Sequence, residues 1–110
     1  MPRKRSPHAM VYVTAPDLEI ARRIGRAIVE QRLAACANLW PVESTYRWKG
    51  ALEDAHEVVL VFKTRKALVG RLIEAVSAIH PYEVPCIVSY PMGAALSGYL
   101  DWIDAETTQR

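Results

Sequence analysis

The fold is decided by the stretch from Ala35 to Thr64, which reads ACANLWPVESTYRWKGALEDAHEVVLVFKT. It contains two extended segments that fold back on each other at residues 48–50, and both are rich in the β-branched and aromatic residues typical of strands. The first arm, residues 35–48, would span roughly 46 Å at about 3.3 Å per residue, whereas a compact chain of this length is roughly 34 Å across. The stretch therefore predicts a long β-hairpin that projects beyond the body of the protein.

The second arm of this hairpin indicates that a partner subunit is needed. Its run from Val58 to Phe62 is apolar on both alternating faces, and an isolated two-stranded ribbon is only marginally stable in water. Helices of the same chain can cover one face of the sheet. The other face would carry the side chains of Tyr12, Val59, Val61 and Val88. We expect neighbouring copies of the chain to bury that face.

The composition is that of an ordinary globular domain. The 110 residues are 51% hydrophobic and 24% charged, which suits one domain with its own core. The formal net charge is +2, but Arg3, Lys4 and Arg5 supply three positive charges, and without them the remainder carries −1. We therefore expect residues 1–8 to form a flexible basic tail and residues 9–110 to form a single domain, with no nucleic acid as partner.

The sequence carries no signal for a membrane or for an oxidising compartment. No apolar run approaches the roughly 20 residues needed to span a bilayer, and the leader lacks the apolar segment of a secretory signal. We expect no membrane partner and a cytoplasmic location. Cys36 and Cys86 each lie in a strand-like stretch and do not form a C-x-x-C pair, which predicts two buried free thiols, with a disulfide as the alternative.

The residues before the hairpin predict a strand and an amphipathic helix. Residues 9–14 are β-branched and aromatic, and Ala15-Pro16 ends this first strand. Thr14 or Asp17 can cap the helix that follows. One stripe of this helix is apolar, at Ile20, Ile24, Ala27, Ile28 and Leu33. The spacing predicts about four turns.

The remaining features are a proline in the hairpin, a second helix, a fourth strand and a terminal helix. Pro41 in the first hairpin arm cannot donate a ladder hydrogen bond and predicts a bulge or bend there. Residues 64–79 predict a helix that ends before a proline. Residues 84–91 predict a strand bracketed by prolines at a sheet edge, and residues 97–107 predict a short helix. The apolar face of the second helix would be Leu68, Leu72, Ile73, Val76 and Ile79.

The order of these elements is βαββαβ followed by a helix. This order predicts an α+β fold, a ferredoxin-like sandwich with a long hairpin between its second and third strands and a C-terminal helix. The first two helices would pack on one face of the sheet. The opposite face would then be left for other copies of the chain.

The loop at residues 80–85, His-Pro-Tyr-Glu-Val-Pro, is a candidate site. It places an imidazole, a phenol and a carboxylate in a loop stiffened by two prolines, and such a loop loses little conformational freedom when it orders. Rigid polar loops often form binding sites. In the alternative interpretation His80 caps the carbonyl end of the second helix and Glu83 pairs with an arginine. The residues alone leave both interpretations open.

The hairpin tip is a second cluster of notable side chains. Aromatic residues beside cations occur both in ligand sites and in protein interfaces. Because the tip lies beyond the globule, we predict that it contributes to a subunit interface. The candidate interface residues are Trp40, Tyr46, Arg47 and Trp48. Lys63, near the end of the second arm, would either bind an anion or extend its ammonium group into water.

Five motifs of the chain resemble those of the CutA divalent-cation tolerance proteins. They are AACAN at residues 34–38, YRWKG at 46–50, EVVLVFKT at 57–64, HPYEVP at 80–85 and YLDWI at 99–103. Their order and spacing match that family over about residues 9–104. The resemblance implies a tight homotrimer similar to the PII signalling proteins, with the hairpin reaching onto a neighbour. It also implies a part in the tolerance of copper and other divalent cations.

Carried over by position, the resemblance implies a metal site at His80, with Glu83 and Cys36 as additional ligands. Some metal-linked members have a cysteine at the position of Val13 and a second histidine at the position of Ile79. Tight sites usually take three or four side-chain ligands, so these departures predict only weak binding of Cu(II) or another divalent cation. Neighbouring subunits would supply further ligands, and no organic cofactor is expected.

The alternative function is that of a PII-like signalling trimer that binds a small anionic ligand in the cleft between subunits. The resemblance places in that cleft Cys36, Lys63, Tyr82, Glu83 and Trp102. A thermal shift caused by an anionic metabolite and abolished by Lys63→Ala would favour this function.

We expect no enzymatic activity. The chain has no Ser-His-Asp order, no phosphate loop and no H-E-x-x-H motif. His8 falls in the predicted tail and His56 in an exposed arm. His80 with Glu83 would make an acid/base pair, but nothing specifies a substrate. RNA binding through the sheet is disfavoured because residues 58–62 lack the alternating aromatics of an RNA-recognition strand.

Overall fold

The structure, a computed structural model, describes residues 7–108 of the chain. Most of the predicted basic tail, residues 1–6, therefore lies outside the described residues. The elements are β1 His8–Ala15, α1 Leu18–Glu30, β2 Cys36–Trp48, β3 Ala51–Arg65, a 3₁₀ turn Lys66–Leu68, α2 Val69–Ile79, β4 Ile87–Pro91 and α3 Ser97–Glu106. This is the predicted βαββαβ order followed by a helix.

The four strands form one antiparallel sheet in the order β2-β3-β1-β4. The prediction that the fourth strand lies at an edge is confirmed, and β2 forms the other edge. Both α1 and α2 pack on one face of the sheet, as expected for a ferredoxin-like sandwich. Their shared core with the sheet is built from Val11, Val13, Ala15, Ala21, Ile24, Ile28, Leu33, Ala34, Val58, Leu60, Phe62, Leu72 and Val76.

The hairpin of β2 and β3 is long and regular. Its register runs without interruption from Cys36 opposite Lys63 to Trp48 opposite Ala51, so the turn between the strands has two residues. These are Lys49 and Gly50, both with positive φ (49° and 82°), as in the mirror-image turns that match the twist of paired strands. The described chain measures 49 × 33 × 21 Å, with a radius of gyration of 15.0 Å against about 13 Å for a compact chain of this length. The predicted projection is confirmed.

The prediction of a bulge at Pro41 is wrong. Pro41 lies opposite Val58 in an unbroken register, so no residue is inserted at this point. The reason is the position of β2 at the edge of the sheet, with β3 as its one neighbour. An edge strand tolerates a residue without an N–H, because its free side has no ladder hydrogen bonds to make.

Asp17 rather than Thr14 caps α1. Its side chain accepts a 2.9 Å hydrogen bond from the Ile20 backbone N–H, which satisfies one of the free donors of the first turn. The helix ends at Glu30, and the predicted apolar stripe faces the core, with Ile24 and Ile28 fully buried.

Several predicted boundaries and burial states need correction. His8 does not belong to a tail but opens β1, where it is buried. β3 extends through Arg65, so α2 starts only at Val69, after a 3₁₀ turn. The fourth strand starts at Ile87 rather than at residue 84, because two prolines hold residues 81–85 away from the ladder. Ile79 at the end of α2 is 46% exposed and does not join the core.

The sheet face opposite α1 and α2, called here the open face, is only partly covered. A second cluster under α3, with Ala35, Met92 and Ile103 buried, covers one end of it. Val59 is also fully buried within the single chain, which corrects the expectation that a partner must cover it. Its register partners Thr14 and Trp40 flank it on the same face.

Other large side chains of the open face remain exposed. Alternation along the strands places five of them on this face, each between 38% and 50% exposed: Trp40, Tyr46, Trp48, Val88 and Tyr90. Within residues 7–108, no helix has both the length and the apolar character needed to cross a membrane.

Candidate functional site

The predicted cleft residues fall into two groups at opposite ends of the open face. Tyr82 and Glu83 lie beside Glu57, whereas Cys36 and Lys63 lie opposite each other in the hairpin register. Glu57 and Lys63 are six positions apart on β3, which corresponds to about 20 Å along the strand. We call the first group, with Glu57, the acidic end and the second, with Tyr99 and Trp102, the thiol end. A single chain does not bring the two groups together.

His80 anchors the loop at the acidic end. Its ring is almost buried, and Nδ1 accepts a 3.1 Å hydrogen bond from the backbone N–H of Tyr82. Since Nδ1 is an acceptor, the ring proton sits on Nε2, which donates to the Thr14 carbonyl oxygen at 2.7 Å. The side chain therefore ties the loop to β1 and does not cap a carbonyl of α2. Both ring nitrogens are already engaged.

Glu57 also belongs to the acidic end, although the sequence did not indicate it as a candidate site residue. It is 7% exposed, and its Oε2 accepts a 2.7 Å hydrogen bond from the hydroxyl of Tyr82. Burial, this hydrogen bond and the negative charge of Glu57 raise the pKa of Tyr82. The only signal in the sequence was a carboxylate directly before the apolar run of β3, which is a costly place for a charge without a partner.

Glu83 pairs with a lysine rather than with an arginine. Its Oε1 lies 3.5 Å from Nζ of Lys49 in the hairpin turn, and both side chains are largely exposed. The Lys49 ammonium also lies 5.5 Å from the centre of the Trp48 ring. An exposed pair of this kind contributes little to stability, but it joins the loop to the hairpin.

The acidic end opens into a cleft of about 680 Å³. Its wall includes Tyr12, Tyr46, Trp48, Tyr82, Glu57 and Cys86. Cys86 is a free thiol, as predicted, but it is exposed rather than buried because it precedes the edge strand β4. Partial burial and the charge of Glu57 raise the pKa of Cys86, against the opposing effect of a hydrogen bond with Thr14.

The thiol end combines a cysteine, a cation and two rings. The Cys36 thiol lies 3.6 Å from the hydroxyl of Tyr99, and burial together with this neighbour raises the pKa of Tyr99 to about 12. Tyr99 stacks on Trp102, with ring centres 5.6 Å apart. Lys63 donates a hydrogen bond to Oδ1 of Asn38 on the adjacent strand. Three of the five residues predicted for the cleft therefore lie at this end, namely Cys36, Lys63 and Trp102.

The predicted metal ligands are divided between the two ends. His80 and Glu83 belong to the acidic end and Cys36 to the thiol end. No group of three or more His, Cys, Asp and Glu side chains suited to a metal ion occurs in the described part of the chain. Residues 7–108 of a single chain therefore do not fit a tight metal site.

The predicted interface residues are all exposed. Trp40, Tyr46 and Trp48 share the open face, while Arg47 alternates to the other side of β2. Tyr46 and Trp48 are neighbours on this side of β2, whereas Val42 and Ser44 separate them from Trp40.

Known proteins share this arrangement of strands and helices. The family model described as "CutA1 divalent ion tolerance protein" matches residues 9–106. The divalent-cation tolerance protein CutA of Archaeoglobus fulgidus is 41% identical over 97 residues, 88% of this chain and 95% of that protein. The CutA homolog of Danio rerio is 43% identical over 102 residues, 92% of this chain and 68% of that protein. The solved structure of the periplasmic divalent cation tolerance protein CutA from Archaeoglobus fulgidus gives a TM-score of 0.90 at 40% identity and covers 92% of this chain and 99% of that chain.

Proposed function

The chain belongs to the CutA1 family of divalent ion tolerance proteins, and from this premise we propose that it acts as a homotrimer in the response to divalent metal ions. In this proposal it binds copper or another divalent cation weakly and catalyses no reaction. The family description concerns tolerance rather than a reaction.

The observation that carries the trimer is the set of large side chains exposed on the open face, which are Trp40, Tyr46, Trp48, Val88 and Tyr90. Monomeric proteins rarely expose large contiguous apolar patches, and stable subunit interfaces are rich in Tyr, Trp and Phe. Three of them lie on the hairpin, which projects beyond the body of its subunit, so a neighbour is within reach. Contacts between different patches of identical subunits close into a ring when the rotation permits, and three copies are the number that the motifs imply.

Weak metal binding is supported by the state of the candidate ligands. A metal ion at His80 would have to displace either the Tyr82 N–H or the Thr14 carbonyl from the imidazole. In a ring, the thiol end of one subunit can face the acidic end of the next, which would bring Cys36 of one subunit towards Glu83 of another. A metal site built from the ligands of two subunits would exist only in the assembled protein.

Calorimetric titration of the assembled protein with Cu(II) tests this site. We expect a weak exothermic signal that decreases in Cys36→Ala and Glu83→Gln, two changes that leave the helix-side core intact. His80→Ala should decrease it as well. His56→Ala is the matched control because His56 is exposed on the hairpin. Equal heats for the wild type and all three site variants would contradict the proposal.

A second candidate function is the binding of a small anionic ligand at the thiol end. The observation in its favour is Lys63, which places an ammonium group beside Cys36, on the same face as the Tyr99 and Trp102 rings. We expect a thermal shift with an anionic metabolite that is lost in Lys63→Ala and retained in Lys66→Ala, a change at an exposed lysine of the 3₁₀ turn. No shift across a broad panel of anions would disfavour this function.

The proposal places the protein in the cytoplasm. Its support is the pair of unlinked cysteines, since reduced thiols persist in that compartment. Cell fractionation with an antibody against the intact protein checks it, and recovery in the periplasm or in a membrane fraction would contradict it.

A further inference from the structure

Two arginines from different parts of the chain hold the C-terminal end of α3. Arg32, in the turn after α1, donates a 3.1 Å hydrogen bond from its guanidinium to the backbone carbonyl oxygen of Glu106. Arg65, the last residue of β3, donates two 2.9 Å hydrogen bonds to Thr107, one to its hydroxyl and one to its carbonyl oxygen. The last carbonyls of a helix lack partners within it and carry partial negative charge, so cations stabilise this end. The two arginines therefore act as a cap that other elements supply.

A third contact reaches the same end of α3 from β1. Nε2 of His8 lies 2.8 Å from Oδ1 of Asp104, and His8 is the register partner of Arg65. His8 is 4% exposed and Thr107 is 1% exposed, so this end of α3 is held away from water. Hydrogen bonds that involve charged groups contribute more to stability than neutral ones do. Polar contacts from three elements thus converge on residues 104–107.

The N-terminal end of α3 is attached less firmly. Its N-cap residue, Leu96, is 78% exposed and makes no side-chain capping hydrogen bond, and the first turn carries no acidic residue. The hydroxyl of Tyr99 lies 3.6 Å from the Cys36 thiol, which is a weak hydrogen-bonding group. The two ends of α3 therefore differ in the strength of their attachment.

Arg32 has a backbone conformation that arginine rarely adopts. Its φ is 60°, in the left-handed region that is unfavourable for a residue with a Cβ atom. The Arg32 N–H donates to the Val29 carbonyl at 3.0 Å and the Leu33 N–H donates to the Ile28 carbonyl at 3.2 Å, a motif that usually contains glycine. Glycine at position 32 would end α1 equally well, but it could not reach α3. The strained backbone therefore points to a role for the guanidinium.

We propose that α3 is a strap fastened at its C-terminal end by Arg32 and Arg65, and that this fastening holds the rings of Tyr99 and Trp102 beside Cys36. The rest of the attachment is the small apolar cluster beneath the helix. All of these contacts lie within one chain. The strap therefore needs no access from solvent and is compatible with sister subunits that cover the remainder of the open face.

The strap adds a positioning device to the thiol end. Its role in binding rests on the proposed function, because the anion proposed for the thiol end would use rings that α3 carries. The fastening itself is measured without any ligand. Failure of anion binding would leave the fastening unaffected, and loose fastening would leave Cys36 and Lys63 in place on the hairpin, so the two failures are distinguishable.

Hydrogen–deuterium exchange of the intact protein, read by mass spectrometry on peptides of α3, tests the strap. In Arg32→Gly and in Arg65→Gln, residues 99–107 should exchange about tenfold faster or more, because each variant loses hydrogen bonds from a charged donor. Exchange in α2 and β1 should stay at the wild-type rate. Arg26→Ala, at an exposed arginine of α1, is the control and should leave α3 unchanged.

Arg32→Gly separates this role from that of an ordinary helix end. Glycine suits a φ of 60°, so the end of α1 should exchange at the wild-type rate or more slowly while α3 exchanges faster. Arg65→Lys keeps the charge but not the two-pronged geometry, and should restore part of the protection lost in Arg65→Gln. Unchanged exchange of α3 in both Arg32→Gly and Arg65→Gln would overturn the inference. Faster exchange spread evenly over all elements would also overturn it, because the strap predicts a local effect.

Discussion

The Tyr82 hydroxyl donates a 2.7 Å hydrogen bond to Oε2 of Glu57, although the two residues are 25 positions apart in the chain. This bond fixes the loop after α2 against the central strand β3 and positions the one buried carboxylate of the acidic end. It also explains why the loop at residues 80–85 is ordered although it has no regular secondary structure.

Removal of that hydrogen bond should destabilise the protein. Tyr82→Phe leaves the ring in place but deprives a buried carboxylate of its donor, so we expect a loss of about 1.5–3 kcal/mol in the free energy of unfolding. Urea denaturation at a fixed protein concentration measures it, since the stability of an oligomer depends on concentration. Tyr90→Phe, at a half-exposed tyrosine, is the control. Equal midpoints for the two variants would contradict the role given to Tyr82.

The hairpin turn should require glycine at position 50. Gly50 has a φ of 82°, which an L side chain adopts only at a cost, although a Cβ there would meet no neighbouring atom. We expect Gly50→Ala to cost about 1 kcal/mol. Gly98→Ala in α3 also points into open space but has ordinary helical geometry, so it should be neutral or slightly stabilising. A similar effect for both substitutions would argue against the turn geometry.

The long hairpin and the order of elements could be predicted because their signals are local. Alternating side chains, a helical apolar stripe and the proline that follows α2 are signals between neighbours in the chain. The cap at Asp17 is a local signal of the same kind. The projection of the hairpin followed from its length alone.

The features that the sequence did not predict depend on which strands are neighbours in the sheet. No local sequence pattern encodes that. Pro41 does not make a bulge because β2 is an edge strand, and Cys86 is exposed because it precedes the opposite edge. Val59 is buried within one chain, where it lies between Thr14 and Trp40 in the ladder. The contact of Glu57 with Tyr82 likewise exists only once the loop lies over β3.

The thiol of Cys86 should react slowly. A raised pKa means that less thiolate is present at pH 8, and the thiolate is the reactive form. In a Cys36→Ala background, the rate of alkylation by iodoacetamide should rise with pH along a curve whose midpoint lies above the ordinary value of about 8.5. Glu57→Gln should move the midpoint down because it removes a negative neighbour. A midpoint at or below about 8.5 in the Cys36→Ala protein with Glu57 intact would disagree with the structure.

Deprotonation of Tyr99 should contribute to the loss of stability at high pH. Its pKa is raised from 10.0 to about 12, so the folded state holds its proton more tightly than the unfolded state does. The resulting contribution to the free energy of unfolding is fully present below about pH 10 and is lost as the pH rises towards about 12. Tyr99→Phe should therefore show a shallower loss of unfolding free energy over this window. An identical slope for variant and wild type would exclude the contribution.

A charge on the open face should weaken the assembly. Tyr90→Glu places a carboxylate among exposed aromatic side chains that the proposed interface would bury, and an unpaired buried charge is costly. We expect this variant to dissociate at concentrations at which the wild type remains assembled. Ile79→Glu, at a comparably exposed position at the end of α2, should not dissociate it. Size-exclusion chromatography over a dilution series distinguishes the two.

Sedimentation equilibrium of the wild-type protein at micromolar concentration tests the central claim most directly, because that claim is that sister subunits cover the open face. The subunit mass is 12.4 kDa, and the account predicts a single species of about three times that mass. A single species of 12.4 kDa, still folded, would contradict it.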